Sequence, residues 1–159
     1  MDSYVLTKMC TNAGTKPTAK ALTAANIYGE ILAASEALDT AEAPETDRVL
    51  IVPPATYTLM KQSSEIVLET DIGMDLRRRG VLGYLDGAVV IKVPATRLPA
   101  KCGFLLCHPG ATVAPVKLAA YRIHQDPPGL SGSLVEGRIV YDAFVFDNKA
   151  DAIYYQATT

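Results

Sequence analysis

The sequence is poor in the residues that build metal centres and disulfide frameworks. Three cysteines, Cys10, Cys102 and Cys107, and two histidines, His108 and His124, stand among 159 residues. An odd cysteine count matches no disulfide scaffold, and the four-residue gap between Cys102 and Cys107 has no second pair to complete a zinc site. The thiols therefore read as small buried hydrophobes. Long apolar runs are also missing: nothing approaches the roughly 20 residues that span a bilayer. Met1 to Lys8 lacks the charged start, apolar middle and small-residue cleavage site of a signal peptide, so synthesis in the cytosol is expected. The net charge is only −2, which gives no broad field for a membrane or for nucleic acid. Glycine is absent where phosphate chemistry needs it. Neither G-x-G-x-x-G after a strand nor G-x-x-x-x-G-K-S/T occurs, and the turn after Val52 carries Pro53-Pro54 instead. No cofactor and no metal is expected, and no internal repeat is found.

What is present is a chain of 49% hydrophobic and 20% charged residues, the balance of one globular domain. Its clearest signal is Val49 to Val52, a β-branched apolar run typical of a strand covered on both faces. Pro53 ends it, and Pro54 suits the first position of a helix running to Gln62, with Tyr57 and Met60 toward the sheet and Lys61 and Gln62 toward water. Upstream, Ser3 to Asn12 reads as a helix stopped by Gly14, and Ala13 to Lys20 as a linker. Thr23 is the expected N-cap of a second helix, whose stripe is Ala24, Ile27, Ile31, Ala34 and Leu38.

Downstream, Ile66 to Leu68 is expected to be extended, and Thr70 or Asp71 to cap a brief helix ending in Arg77-Arg78-Arg79. Gly80 to Pro94 reads as a hairpin turning at Asp86-Gly87. Cys102 to Cys107 is another apolar strand, followed by a short helical piece at Ala111 to Val116. Leu118 to His124 alternates as a strand, with Ala120 and Arg122 opposed to Tyr121 and Ile123. Gly137 to Phe146 is the longest strand signal, and Ala152 to Gln156 a final strand expected to pair back on it. The order predicts an α+β fold: a mixed central sheet flanked by helices, with a peripheral β-hairpin.

Candidate chemistry is thin. A nucleophilic thiol needs a base near it, yet neighbours on a strand point to opposite faces, so Cys107 and His108 cooperate only if the strand breaks between them. His124, with Asp126 and Asp142, reads better as a hydrogen-bonded strand-end residue than as a base. Three consecutive arginines invite a nucleic-acid interpretation, but without aromatic interleaving they fit a solvated helix end or a salt-bridge partner for a neighbouring subunit.

Four stretches, in order, resemble the major capsid proteins of tailed bacteriophages with the Hong Kong 97 coat-protein fold. They are ALTAANIYGEILAASEALD leading through an acidic link to DRVLIVPPATYTLMKQ, then RRGVLGYLDGAVVIKVPATRLP, FLLCHPGATVAPV and VEGRIVYDAFVFDNKADAIYY. The resemblance implies the end of a spine helix and a linker at 1–22, an axial domain at 23–125, and return strands toward a peripheral domain at 126–159. It also implies a chain lacking the family's amino-terminal arm, long hairpin arm and most of the spine helix, either truncated or naturally short. The implied function is that of a structural subunit of a phage or prophage capsid, made in the bacterial cytoplasm and located in the virion. Its implied partners are copies of itself in pentamers and hexamers, with scaffold and portal proteins. Candidate interface residues are Arg77, Arg78 and Arg79, with Asp71, Asp86 and Lys101 as their partners. Two alternatives stay open: a bacterial encapsulating shell protein of the same fold, and a small cytosolic enzyme using Cys107 or His108.

Overall fold

The structure, a computed structural model, describes residues 2–63, 66, 81–125, 128–129 and 131–159. At its centre lies a five-stranded mixed sheet. Its strands are β1 (Val49–Val52), β2 (Val81–Leu85), β3 (Ala88–Lys92), β4 (Cys102–Cys107) and β9 (Ile153–Ala157), in the order β2-β3-β1-β4-β9. β1 and β3 are parallel, with Leu50 beside Val90, and the other pairings are antiparallel. The short β1 is buried because its two faces serve two cores. Leu50 and Val52 meet helices α2 (Ile27–Thr40) and α3 (Pro54–Gln62), while Ile51 meets α1 (Asp2–Thr11) on the other side. Helices therefore cover both faces of the sheet, the α+β layering that the element order predicts.

Each layer follows from its residues. The stripe Ile27, Ile31, Ala34 and Leu38 is wholly buried. Pro54 opens α3, Met60 is buried beneath it, and Lys61 and Gln62 are exposed. Leu6, Met9 and Cys10 press α1 onto Leu105, Cys107 and Ile153. The segment after α1 is more than a linker: Gly14 and Lys20 donate backbone N–H groups to Ala150 and Ala157, and Tyr155 donates back to Thr15. It runs along β9 and partly covers that edge of the sheet.

Several expectations are corrected. α2 starts at Ile27 rather than at Thr23, because the Asn26 side chain accepts the Thr23 N–H and donates to the Ala21 carbonyl, tying the preceding residues into a turn. The short helical piece expected around Ala111 to Val116 ends at Ala111, and Thr112 to Val116 is not helical. A 3-10 turn at Pro109–Ala111 leads into β5 (Thr112–Val113), which pairs with β8 (Phe144–Val145). The long strand signal splits: β7 (Ser133–Tyr141) ends where the Asp142 carboxylate accepts the N–H of Ala143, a local bond that competes with the ladder. The final strand β9 pairs with β4 rather than with the strand before it, as Phe104, Leu105 and Leu106 need cover on every side. The extended piece expected at Ile66 to Leu68 and the brief helix after Thr70 fall on residues that, apart from Ile66, lie outside those described.

Candidate assembly interface

One element stands outside the layers. β6 (Val116–Gln125) pairs antiparallel with β7 as a two-stranded ribbon, and β7 is exposed along its whole length. The boundary expected between residues 125 and 126 falls between these two strands, and β9 beyond it belongs to the central sheet. Because opposed residues of an antiparallel pair share a face, the register sorts the ribbon into two sides. Tyr121 lies opposite Gly137 and Ile123 opposite Val135 on one side, with Ile139 following. On the other, Arg122 lies opposite Glu136, Ala120 opposite Arg138 and His124 opposite Leu134. The first side is apolar yet uncovered: Tyr121 is 77% exposed, Val135 63%, Ile139 60% and Ile123 59%. The second is charged, with His124 Nε2 3.2 Å from a Glu136 oxygen and a depression of about 450 Å³ over Arg122, Glu136 and Arg138. A single exposed apolar residue is ordinary, but a contiguous exposed apolar side marks an interaction surface.

The root of the ribbon is fastened to α1. The Tyr4 hydroxyl donates to Asp142 Oδ1 at 2.8 Å, and the Ala143 N–H donates to the same oxygen at 2.8 Å. The Tyr4 ring stands edge-on to Tyr141, centroids 6.0 Å apart, with Lys8 Nζ 5.6 Å from its own centroid. The hydrogen bond from Tyr4, with that from Ala143, holds the Asp142 carboxyl below its ordinary value, and the same carboxylate raises the Tyr4 phenol. α1 thus sets the direction in which the ribbon leaves the body.

Of the sequence-predicted contact residues, only Asp86 and Lys101 fall on described positions. Asp71, Arg77, Arg78 and Arg79 lie outside the described residues. Asp86 begins the β2–β3 turn at φ 49°, followed by Gly87 at φ 75°, the left-handed pair that a tight hairpin uses. It borders a polar depression shared with Ser35, Asp39, Glu45 and Arg48. Lys101 precedes β4 at φ 61°, and its carbonyl accepts the Thr158 N–H. The structure does not bring Asp86 and Lys101 together. Val89 pairs with Val49, which pairs with Cys107, so Asp86 lies at the Cys107 end of the sheet and Lys101 at the Cys102 end. The ribbon was not singled out from the sequence as a surface; its signal was alternation in both strands with no helix in sequence nearby to cover the apolar side.

Cys107 and His108 form no nucleophile and base. The Cys107 thiol is buried against the Val49 carbonyl and pushed up to about 12 by burial, while His108 Nδ1 accepts the N–H of Gly110. Burial also raises Tyr155 to about 12, and the hydrogen bond to Cys102, with burial, raises Cys10. Cys10 and Cys107 are packing residues held in the protonated form, while the hydrogen bond from Cys10 lowers Cys102.

No protein-family model matches the sequence, and no curated protein matches it. Solved structures do match the fold. A chain of Mycobacterium phage Che8 superposes with a TM-score of 0.69 at 22% identity, over 94% of this chain and 55% of that one. The capsid structure of cyanophage P-SCSP1u gives 0.67 at 17%, over 92% and 54%. The asymmetric unit of the bacteriophage PhiM1 mature capsid gives 0.68 at 16%, over 99% and 60%. The present chain thus spans little more than half the length of these chains, and at these identities the likeness is one of fold.

Proposed function

We propose that this chain is a structural subunit of a tailed-phage or prophage capsid, acting through repeated contacts between copies rather than through a pocket. One observation carries the proposal: 92–99% of the chain superposes on chains of phage structures, two of them capsids, at TM-scores of 0.67 to 0.69. The uncovered ribbon and the buried thiols support it, since the one offers surface and the others are packed away from solvent. On this proposal the subunit is made in the host cytoplasm and resides in the virion, meeting its copies in pentamers and hexamers and, during assembly, scaffold and portal proteins. The charged residues Asp71, Arg77, Arg78, Arg79, Asp86 and Lys101 would choose neighbours around a capsomer axis. Exposed pairs contribute only about 0 to 1 kcal/mol each, so charge reversal should alter partner choice in mixed assemblies more than it alters yield.

The test is to purify particles from induced cells of the source organism, sequence their proteins by mass spectrometry and label them with antibody to this chain. The expected result is a shell decorated by the antibody, with peptides of this chain the most abundant and packaged DNA inside. A shell built of another protein would overturn the proposal, and particles filled with protein cargo instead of DNA would favour an encapsulating shell.

A further inference from the structure

We infer that the free edge of β7 pairs antiparallel with the same edge of a second copy, about a two-fold axis through Gly137. The inference deepens the shell proposal and rests on it for the choice of a second copy as partner. β7 is bonded on one side to β6, and among the described residues its other edge carries no strand. All nine residues are exposed, and the alternate ones whose N–H and C=O groups point away from β6 form a template for another strand. Ser133 to Tyr141 contains no proline and no lysine, and its two charges, Glu136 and Arg138, are of opposite sign, so they do not repel a second copy in an antiparallel register that opposes them.

The order of residues along that edge selects the partner. Around Gly137 the strand is palindromic in character: Glu136 and Arg138 flank it, then Val135 and Ile139, then Leu134 and Val140. Antiparallel self-pairing centred there sets Glu136 of each copy opposite Arg138 of the other on the charged side. Val135 meets Ile139 on the apolar side, and each pairing occurs twice. Opposite charges and aliphatic pairs across strands are the stabilising combinations. Neighbouring registers with the same faces together fail, because centring on residue 136 opposes two glutamates and centring on 138 opposes two arginines. The outer edge of β6 offers no such match: centred on Tyr121 it sets Arg122 against Ala120, and centred on Ile123 it sets Arg122 against His124. Gly137 suits the axis, since space around it is open and no side chain stands between the two backbones. Glu136 already lies 3.2 Å from His124, and its second carboxylate oxygen remains for an arginine. The product is a four-stranded sheet whose apolar side unites Tyr121, Ile123, Val135 and Ile139 of both copies. A self-complementary patch of this kind gives a closed two-fold dimer.

Sedimentation of the purified chain and four charge variants tests this. The wild type should dimerise, and Glu136→Arg and Arg138→Glu should each weaken dimerisation about tenfold or more, because each opposes like charges twice. An equimolar mixture of the two single variants should associate again, as should the chain carrying both substitutions, since both restore opposite charges at the axis. Near-UV circular dichroism checks that each variant keeps its core. Gly137→Cys supplies a second measurement: under mild oxidation it should cross-link two copies at that position, whereas Lys117→Cys should not. A wild-type chain that stays monomeric throughout its soluble range, or single variants that dimerise as tightly as wild type, would overturn the pairing. Rings or shells that persist in both single variants would sink the pairing while leaving the shell proposal standing. A dimer centred on Gly137, from a chain absent from particle shells, would do the reverse.

Discussion

A buried guanidinium holds the connection between α2 and β1. Arg48 is 3% exposed, donates from Nη2 to the Ala43 carbonyl at 2.8 Å and from Nε to Pro44 at 2.9 Å, and pairs with Asp39 at 2.6 Å. The loop it closes carries Glu42 at φ 54° and Asp47 at φ 60°, left-handed positions that non-glycine residues hold only when their surroundings impose them. Arg48→Ala removes the clamp and leaves both carbonyls unpaired, with an expected loss of about 3 kcal/mol in urea denaturation. Asp39→Asn should lose less, because that carboxylate is half exposed and screened. The Tyr4–Asp142 bond makes a second prediction, set by pH. Asp142 has its folded value depressed, so its contribution is present above the unfolded carboxylate value of about 3.9 and is lost as pH falls through the folded value. Tyr4 has its folded value raised, so its contribution is present below about 10 and is lost as pH rises through that folded value. The melting temperatures of wild type and Tyr4→Phe should therefore differ by a constant amount between those limits and converge outside them. Parallel curves through the acid limb would show that the bond does not hold the ribbon's root.

At the level of elements, the bulge in β4 shows how one residue aligns two cores. The register with β9 steps from Cys102 beside Ala157 to Phe104 beside Gln156, so Gly103 is the extra residue. This step lets Cys102 share the α1 face with Leu105 and Cys107, while Phe104 turns to the α2 face and stacks on Tyr154 at 6.1 Å. A Cβ at Gly103 would lie 2.7 Å from Leu22 Cδ1 and 2.9 Å from the Gln156 carbonyl, and that carbonyl is backbone within the ladder. Gly103→Ala should therefore destabilise by roughly 1–3 kcal/mol, and Phe104→Ala, which empties a fully buried site, by roughly 3–5 kcal/mol. Thermal melts of the two variants check the order. The bulge also marks where sequence reasoning stops. Val49 to Val52, Pro54 to Gln62 and the Asp86-Gly87 turn were legible because apolar runs, proline placement and turn residues act within a few positions of themselves. The partner of β9 and the register step at Gly103 depend on residues about fifty positions apart, and the strip that Ala13 to Lys20 lays along β9 on residues more than a hundred apart, and no local pattern encodes them. The charged candidates show the same limit: Asp86 and Lys101 follow from charge and loop position, and sheet register adds that they occupy opposite ends of the sheet. In β6 and β7 the alternation was readable, but it reports two unlike faces without telling what covers them.

For the whole molecule, the consequence is a chain of two unequal stabilities. The layered body buries Leu50, Val90, Phe104, Leu105, Leu106 and Ile153 completely or nearly so, whereas β7 buries none of its side chains. A two-stranded ribbon is marginal in water when it stands alone, and segments with few buried apolar contacts open at low free energy. In a dilute monomer the amides of β6 and β7 should exchange with deuterium long before those of β1, β4 and β9, which exchange only through unfolding of the body. Raising the concentration then separates two mechanisms. If burial of the apolar side alone stabilises the ribbon, both strands should gain protection together. If β7 pairs with β7, the added protection should be greatest at alternate residues of β7, those whose N–H groups point away from β6, and the outward N–H groups of β6 should remain fast. That alternation is the signature of a new backbone ladder on one edge, and packing against a face does not produce it.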